Sequence, residues 1–388
     1  MNISPPPDEM HSALALNRIT TPKQRAELMH HCGSAAVAVE RLRELDPKGH
    51  PLERWLPQLQ PGRLERLIKP DLRWCEADSI NHILVQGQPG YPSLLRETPD
   101  PPLVLYVRGN PELLGQAQLA IVGSRRATPY GLALSQSFAR TFAESGFVVT
   151  SGMAVGIDGA AQQEAVDSDR PTIAVFGTPI DRVFPRRNAE LAGLIAEGGA
   201  LLSEQPIAVQ TRTWHFSTRN RIISGLSLAC IVIEASSSSG SLVTARYAIE
   251  QGREVFAVPG PVHSSNSQGC HRLIREGATL AEHPGHVIEA LQTMVTLPEV
   301  EDLPPLPQPE LPVLSDQDWS VLRALSADPI SYDQLMQRCS GLGAQQISAS
   351  LAVLEGAGLA AFDQGRYQRL PGADEVLMSV KGGTENVN

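Results

Sequence analysis

Residues 119–131 read LAIVGSRRATPYG: four apolar residues, a Gly-Ser pair, two adjacent arginines, then a segment that turns helical. A short apolar run closed by glycine and followed by a helix has the signature of a strand covered on both faces of a parallel sheet. The pattern recurs along the centre of the chain. Strands are expected at 119–124, 147–152, 172–178, 200–204, 229–235 and 254–260, with helical segments near 130–145, 156–167, 187–198, 218–227 and 240–252 between them. That alternation predicts an α/β fold, an extended Rossmann-like doubly wound parallel sheet over residues 80–290.

Outward from this domain the composition changes twice. Residues 1–75 carry short helical segments broken by Pro and Gly, a small N-terminal all-α (SAM-like) module. Residues 81–110 form a proline-rich connection with a strand at its end. Residues 295–312 hold six prolines and four acids without periodicity, as expected of a stiff extended linker. Residues 313–370 give three helix signals, then LAAF and RYQRL around a glycine turn, the outline of a winged helix. Residues 371–388 read as a disordered tail.

The start, MNISPPPDEM, has neither a basic nor an apolar leader segment, and no apolar run reaches membrane-spanning length, so a cytoplasmic protein with no membrane partner is expected. The five cysteines lack any C-x-x-C spacing and read as reduced thiols. Cys270, His271, His283 and His286 match no usual ligand spacing, and loop or surface histidines are expected there.

The net charge of −10 hides an uneven distribution. Residues 11–70 hold ten Lys/Arg against six Asp/Glu, and residues 119–260 hold twelve of each. No lysine occurs between Lys69 and Lys381, so every cation of the central domain is an arginine. A GC-rich coding bias and selection for phosphate contact both account for that.

In an open parallel sheet, ligands bind beyond the carboxyl ends of the strands, where helix N-termini also converge. Nearly every such end here carries small or polar residues: Gly123-Ser124-Arg125-Arg126, then Ser151-Gly152, Gly177-Thr178, Ser203-Glu204, Ser239-Gly240-Ser241 and Pro259-Gly260. Such a rim suits an anionic, phosphate-bearing ligand. The first turn reads G-S-R-R-A-T in place of G-x-G-x-x-G, and Thr150-Ser151 stands where an acid would hold a ribose, so no dinucleotide cofactor is expected. Walker A, G-x-S-x-G and H-E-x-x-H patterns are also missing from the sequence. The rim therefore reads as binding, with no catalytic residue and no metal.

A ligand with repeated phosphates and exposed bases fits best. Arg125 and Arg126 at one strand end, and Arg219, Asn220 and Arg221 at the start of a helix near another, are candidate phosphate contacts, and Phe216 is a candidate stacking partner. The alternative is that Arg219 and Arg221 pair with Glu204 or Glu234 while Phe216 fills the core. A second reading is a Rossmann-like enzyme acting on a small nucleotide or phosphosugar, for which Asp158 or Glu204 would supply the acid or base. A third is a winged-helix regulator with an attached sensor domain.

The runs VGSRRATPYG, VTSGMAVGIDGAAQ, TIAVFGT, DRVFPRRNAEL, LLSEQP, FSTRNRIISGLS, SSSSGSLVTARYAIEQGREVFAVPG and GCHRLIREGA, in this order, resemble the DNA-processing protein A (DprA, or Smf) family over about residues 80–285. The resemblance implies a non-catalytic protein that binds and protects single-stranded DNA, forms a homodimer and loads the RecA recombinase in natural transformation and DNA recombination. It further implies a DNA-binding pocket at the strand ends, with Arg125, Phe216, Arg219, Asn220 and Arg221 central and Gly240 and Ser241 at a helix start; Ser124, Arg126 and Gly152 of the same rim are expected DNA contacts beside them. Two positions depart from the family pattern. Ser217 stands where the family usually has proline, suggesting a less rigid loop before the helix, and Gln162 where it often has histidine. In the winged helix, the presumptive recognition helix AQQISASLAVLEGA has no cation, and Gln345 and Gln346 are its candidate base readers, so a protein-contact or regulatory role is favoured.

Overall fold

The structure, a computed structural model, describes residues 8–292 and 314–371 apart from 47, 49, 263 and 364, together with residues 373 and 377. The linker expected at 295–312 and nearly all of the tail expected at 371–388 lie outside the described residues.

Four helices open the chain: α1 (Glu9–Ile19), α2 (Pro22–Cys32), α3 (Ala35–Arg43) and α4 (Leu64–Glu76). Their starts follow local chemistry. Thr21 and Gln24 close a capping box with Pro22 at the first helical position of α2, and Ser34 caps α3 by accepting from Val37 N–H. Next come β1 (Asn81–Val85), α5 (Ser93–Arg96) and β2 (Val104–Gly109).

The central alternation follows as β3 (Gln118–Val122), α6 (Pro129–Glu144), β4 (Val148–Ser151), α7 (Ile157–Asp167), β5 (Thr172–Phe176), α8 (Ala189–Gly198), β6 (Ala200–Ser203), α9 (Thr213–Leu226), β7 (Ala229–Val232), α10 (Ser241–Glu250) and β8 (Glu254–Ala257). The domain ends in α11 (Gln268–Arg275), β9 (Thr279–Leu280) and α12 (Pro284–Gln292).

The nine strands form one sheet in the order β1-β2-β6-β5-β4-β3-β7-β8-β9. Strands β3 to β6 wind one way from β3, and β7 to β9 wind the other, so the topological switch lies between β3 and β7. Pairing is parallel from β6 through β9, as expected. At the other edge β2 runs antiparallel to β6 and to β1. There the antiparallel pair β1 and β2 extends the edge of the parallel sheet, and β1 falls in the segment read as a connection.

Alternation along β3 shows how the sheet is covered. Leu119 and Ile121 face Phe138, Phe142 and Ile157 of α6 and α7, whereas Ala120 and Val122 belong to the opposite core with Ile222 and Ile223 of α9 and Leu242 of α10. The N-terminal helices share a third core with sheet residues, in which Leu14 and Leu16 pack with Val104, Tyr106, Leu201 and Ile207. Polar contacts fasten the same junction. Asn17 Nδ2 donates to the Glu204 carbonyl at 2.9 Å, and Arg18 donates to Asp71 and to the Ile207 carbonyl.

The C-terminal unit contains α13 (Asp316–Ala324), β10 (Ile330–Ser331), α14 (Tyr332–Arg338), α15 (Ala344–Gly356), β11 (Ala360–Asp363) and β12 (Arg366–Arg369), with sheet order β10-β12-β11. Three helices and a small antiparallel sheet make a winged helix around Leu322, Leu335, Ile347 and Leu354. Among the described residues, no helix is long and apolar enough to cross a membrane, and no cluster of metal-ligating side chains occurs. All five cysteines are free.

Candidate nucleic-acid interface

The switch point between β3 and β7 opens into a groove of about 1250 Å³. The β3–α6 loop forms one wall, the β7–α10 loop another, and one face of α9 the floor. Helical periodicity decides which residues of α9 reach the groove: Phe216, Arg219, Asn220 and Ile223 recur at one-turn spacing and line it, whereas Arg221 lies on a different face.

This helix starts earlier than its sequence signals. It begins at Thr213, after Arg212, five residues before the expected start at 218. Arg219, Asn220 and Arg221 therefore sit in its second and third turns, beyond the reach of the N-terminal dipole end. Ser217 lies inside the helix, its Oγ donating to the Trp214 carbonyl at 3.0 Å, so the expected loss of loop rigidity at this position does not arise.

The two arginines of α9 are committed differently. Arg221 is buried and donates to Glu204 Oε2 at 2.7 Å and to Asp100 Oδ2 at 3.1 Å. Burial alone would lower its pKa, but the two carboxylates more than offset that and hold it above the usual arginine value. Glu204 is held below its usual value in turn: burial opposes ionisation, and Arg221 and Arg25 outweigh it. The ion-pair alternative thus describes Arg221. Arg219 pairs with neither Glu204 nor Glu234. Its Nη1 donates to the carbonyl oxygens of Gly152, at 2.9 Å, and Val175. Burial pulls its pKa down to about 10, opposed by Asp158 and assisted by Arg125, so it remains cationic at neutral pH on the groove floor.

Arg125 and Arg126 are exposed on the groove wall, and neither forms an ion pair among the described residues. Their backbone is fixed instead. Ser124 Oγ accepts from Arg126 N–H at 3.1 Å, and Asn266 Nδ2 donates to the Arg126 carbonyl at 3.0 Å. Glu234 braces the same loop, its carboxylate accepting from the Thr128 N–H at 3.0 Å and hydroxyl at 2.6 Å. On the opposite wall Asn220 Nδ2 donates to the Gly240 carbonyl at 3.4 Å, and the Ser239 and Ser241 hydroxyls lie 2.7 Å apart.

Phe216 is half-buried, its ring 5.3 Å from that of Phe184, which is 56% exposed. Trp214, 49% exposed, stands two residues earlier on α9 and also lines the groove. The Phe184 and Phe216 rings form an aromatic ledge in the groove lining. Phe184, Trp214, Arg212 and Asn266 were not among the residues picked from the sequence. Phe184 lies in the run DRVFPRRNAEL, where an aromatic beside arginines was the available signal.

Of the sequence-derived candidates, Ser124, Arg125, Arg126, Phe216, Arg219, Asn220, Gly240 and Ser241 come together around the groove. Gly152 lies beneath Arg219, and Arg221 stands outside the lining. The two carboxyl groups considered for catalysis are engaged in structure. Asp158 is buried, accepts from the Gly152 N–H at 3.2 Å and has its pKa raised by that burial; Glu204 is locked to Arg221. Gln162 is buried too, donating to the Ile173 carbonyl at 2.9 Å to tie α7 to β5. In the winged helix, Gln346 Oε1 accepts from Gly343 N–H at 2.8 Å and so caps α15.

Residues 82–292, more than half of the chain, match the family described as DNA recombination-mediator protein A, and residues 304–372 match the DprA winged helix domain. Protein Smf of Escherichia coli K12 is 39% identical over 308 residues, covering 78% of this chain and 81% of that protein. A putative DNA processing protein DprA of Mycobacterium tuberculosis H37Rv is 35% identical over 358 residues, covering 92% and 87%. Among solved structures, DNA processing protein A of Streptococcus pneumoniae superposes with a TM-score of 0.60 at 31% identity, over 71% of this chain and 95% of that one. The Helicobacter pylori DNA processing protein A, reported for its single-stranded DNA binding mode, gives 0.50 at 30% identity, over 55% and 96%. The matched span runs from β1 to the end of α12 and so contains every wall of the groove; the chain belongs to the DNA recombination-mediator protein A family, that of DprA and Smf.

Proposed function

We propose that the protein binds single-stranded DNA in the switch-point groove and, as a homodimer in the cytoplasm, shields the strand and passes it to the RecA recombinase during natural transformation and DNA recombination. One observation carries the first part. Two uncommitted arginines on a braced loop and the paired rings of Phe184 and Phe216 line one groove of about 1250 Å³. Cations that track phosphates, combined with rings on which bases stack, are what sequence-tolerant recognition of a single strand requires. Membership of the family, and the DNA binding reported for the Helicobacter pylori relative, support the same reading.

The competing reading, an enzyme for a small nucleotide or phosphosugar, has less support. The groove exceeds the roughly 300–1,000 Å³ of small-ligand pockets. Asp158 and Glu204 are already bonded within the protein. Band-shift titrations with single-stranded, duplex and mononucleotide ligands separate the two. Preference for the single strand supports DNA binding, and thermal stabilisation by mononucleotides without any oligonucleotide binding refutes it. The mediator step is tested by RecA filament formation on DNA coated with single-strand-binding protein, which the protein should accelerate, and the dimer by light scattering.

A further inference from the structure

Beside the groove lies a second hollow of about 450 Å³, within the roughly 300–1,000 Å³ range of ligand sites. Leu132 of α6 with Leu191 and Leu194 of α8 give it an apolar surface, and Gln163, Arg187 and Asn188 give it polar walls. The two hollows share Ala154. The crest between them is the segment Ala154, Val155 and Gly156. Gly156 has φ +88°, and a Cβ there would lie 2.2 Å from the Ser124 carbonyl oxygen and 3.1 Å from Arg125 Cα, so the crest runs directly against the arginine loop.

Three features suit this hollow to one occupant. The side chain of Arg187 is exposed and makes no hydrogen bond or ion pair among the described residues, and the same holds for the side chain of Arg186 beside it. Leu194 is 40% exposed, although Leu191 and Ile195 of the same helix are buried. Asn188 Nδ2 donates to the Met153 carbonyl at 2.9 Å, which fixes the wall relative to the crest. Glu190 also lines the hollow and disfavours a bare phosphate or other small polyanion, but its carboxylate can accept from the exocyclic amine of a base.

The geometry points to a second nucleotide subsite on the same strand: DNA leaving the groove past Arg125 crosses the crest at Ala154–Gly156, sets a base against Leu132, Leu191 and Leu194, and offers its phosphate to Arg187. This subsite rests on the reading of the main groove as a single-strand site and lengthens the bound track.

A length series of labelled oligodeoxycytidylates, from about three to about twelve nucleotides, tests it in the full-length protein. Wild-type affinity rises in two stages with length. Arg187→Ala keeps the first stage and loses the second, and its salt dependence with long oligonucleotides falls by about 0.7 in log–log slope, the value for one phosphate neutralised on a single strand. Leu194→Ser, at an exposed position, weakens the second stage several-fold with the slope unchanged. A single-stage rise in the wild type overturns the subsite. So does wild-type length dependence in both variants, or equal weakening of the shortest and longest oligonucleotides by Arg187→Ala, which would assign that arginine to the main groove. If the wild type binds no oligonucleotide at any length, the groove reading falls first and the subsite with it.

Discussion

The guanidinium of Arg219 lies directly on Gly152: Nη1 donates to the glycine carbonyl at 2.9 Å, and a Cβ on Gly152 would come within 2.5 Å of Nη2. The end of β4 and the floor of the groove are therefore one packed unit. The glycine serves close approach within the protein, which differs from the DNA contact expected of it as part of the strand-end rim.

Gly152→Ala should accordingly displace Arg219. The guanidinium is buried and held by two carbonyls, so it cannot swing away freely as an exposed arginine would. A loss of roughly 1–3 kcal/mol in stability is expected, typical of overpacking, together with weaker single-strand binding. Chemical denaturation and a binding titration on the same variant check both.

Arg221→Ala and Arg125→Ala should separate the two kinds of arginine. Removing Arg221 strands Glu204 in the core without its main partner, a change expected to cost about 3–5 kcal/mol. Removing exposed Arg125 should leave the melting temperature nearly unchanged and weaken DNA binding. Thermal melts with parallel band shifts distinguish these outcomes, and a stable, DNA-defective Arg221→Ala protein would return that residue to the groove.

Phe184→Ala should lose affinity for single strands by about 1–3 kcal/mol, the range for a base stacked on an aromatic side chain. The side chain is 56% exposed, so little stability is at stake. Fluorescence anisotropy with a labelled oligonucleotide measures the loss, and undiminished affinity would exclude Phe184 from the ledge.

His215 gives the fold a pH dependence. Its Nδ1 accepts from the Arg212 N–H at 3.3 Å at the start of α9. Burial lowers its pKa below the usual 6.5, Glu204 opposing and Arg212 adding to the fall. A lowered folded-state value means the neutral ring is favoured by folding, so its contribution is complete above the unfolded pKa and declines as pH falls through the folded one. Asparagine offers an acceptor oxygen that does not titrate. Wild type should therefore lose stability relative to His215→Asn as pH falls from about 7.5 to 5.5, as read from paired thermal melts; a constant difference would contradict the linkage.

The alternation of strands and helices was legible because runs such as LAIV and CIVI are too apolar and too short for anything but buried strands. The strand β1 was not legible. Its NHILV run sits among Gly and Pro residues, and its antiparallel place beside β2 is set by tertiary pairing that no local pattern encodes. The start of α9 was obscured for a related reason. Arg212 is not a preferred cap, and Trp214, His215, Ser217 and Thr218 are modest helix formers, so packing on the sheet extends the helix through residues that signal it weakly. The earlier start matters at the site, because it puts Phe216 on the same helix face as Arg219 and Asn220 and takes Arg219, Asn220 and Arg221 beyond the N-terminal dipole end. Sequence alone also left the arginine roles open, since the partners Glu204 and Asp100 are 17 and 121 residues from Arg221 in the chain.

The most direct test of the groove as a single-strand site is the salt dependence of oligonucleotide binding by wild type and by the Arg125→Ala/Arg126→Ala double variant. Both side chains are exposed, so the variant should melt with the wild type. Its log–log salt slope should fall by about 0.7 for each phosphate no longer neutralised, with at least a tenfold drop in affinity at low salt (roughly 1.4 kcal/mol). Wild-type affinity and slope in the folded double variant would contradict the account.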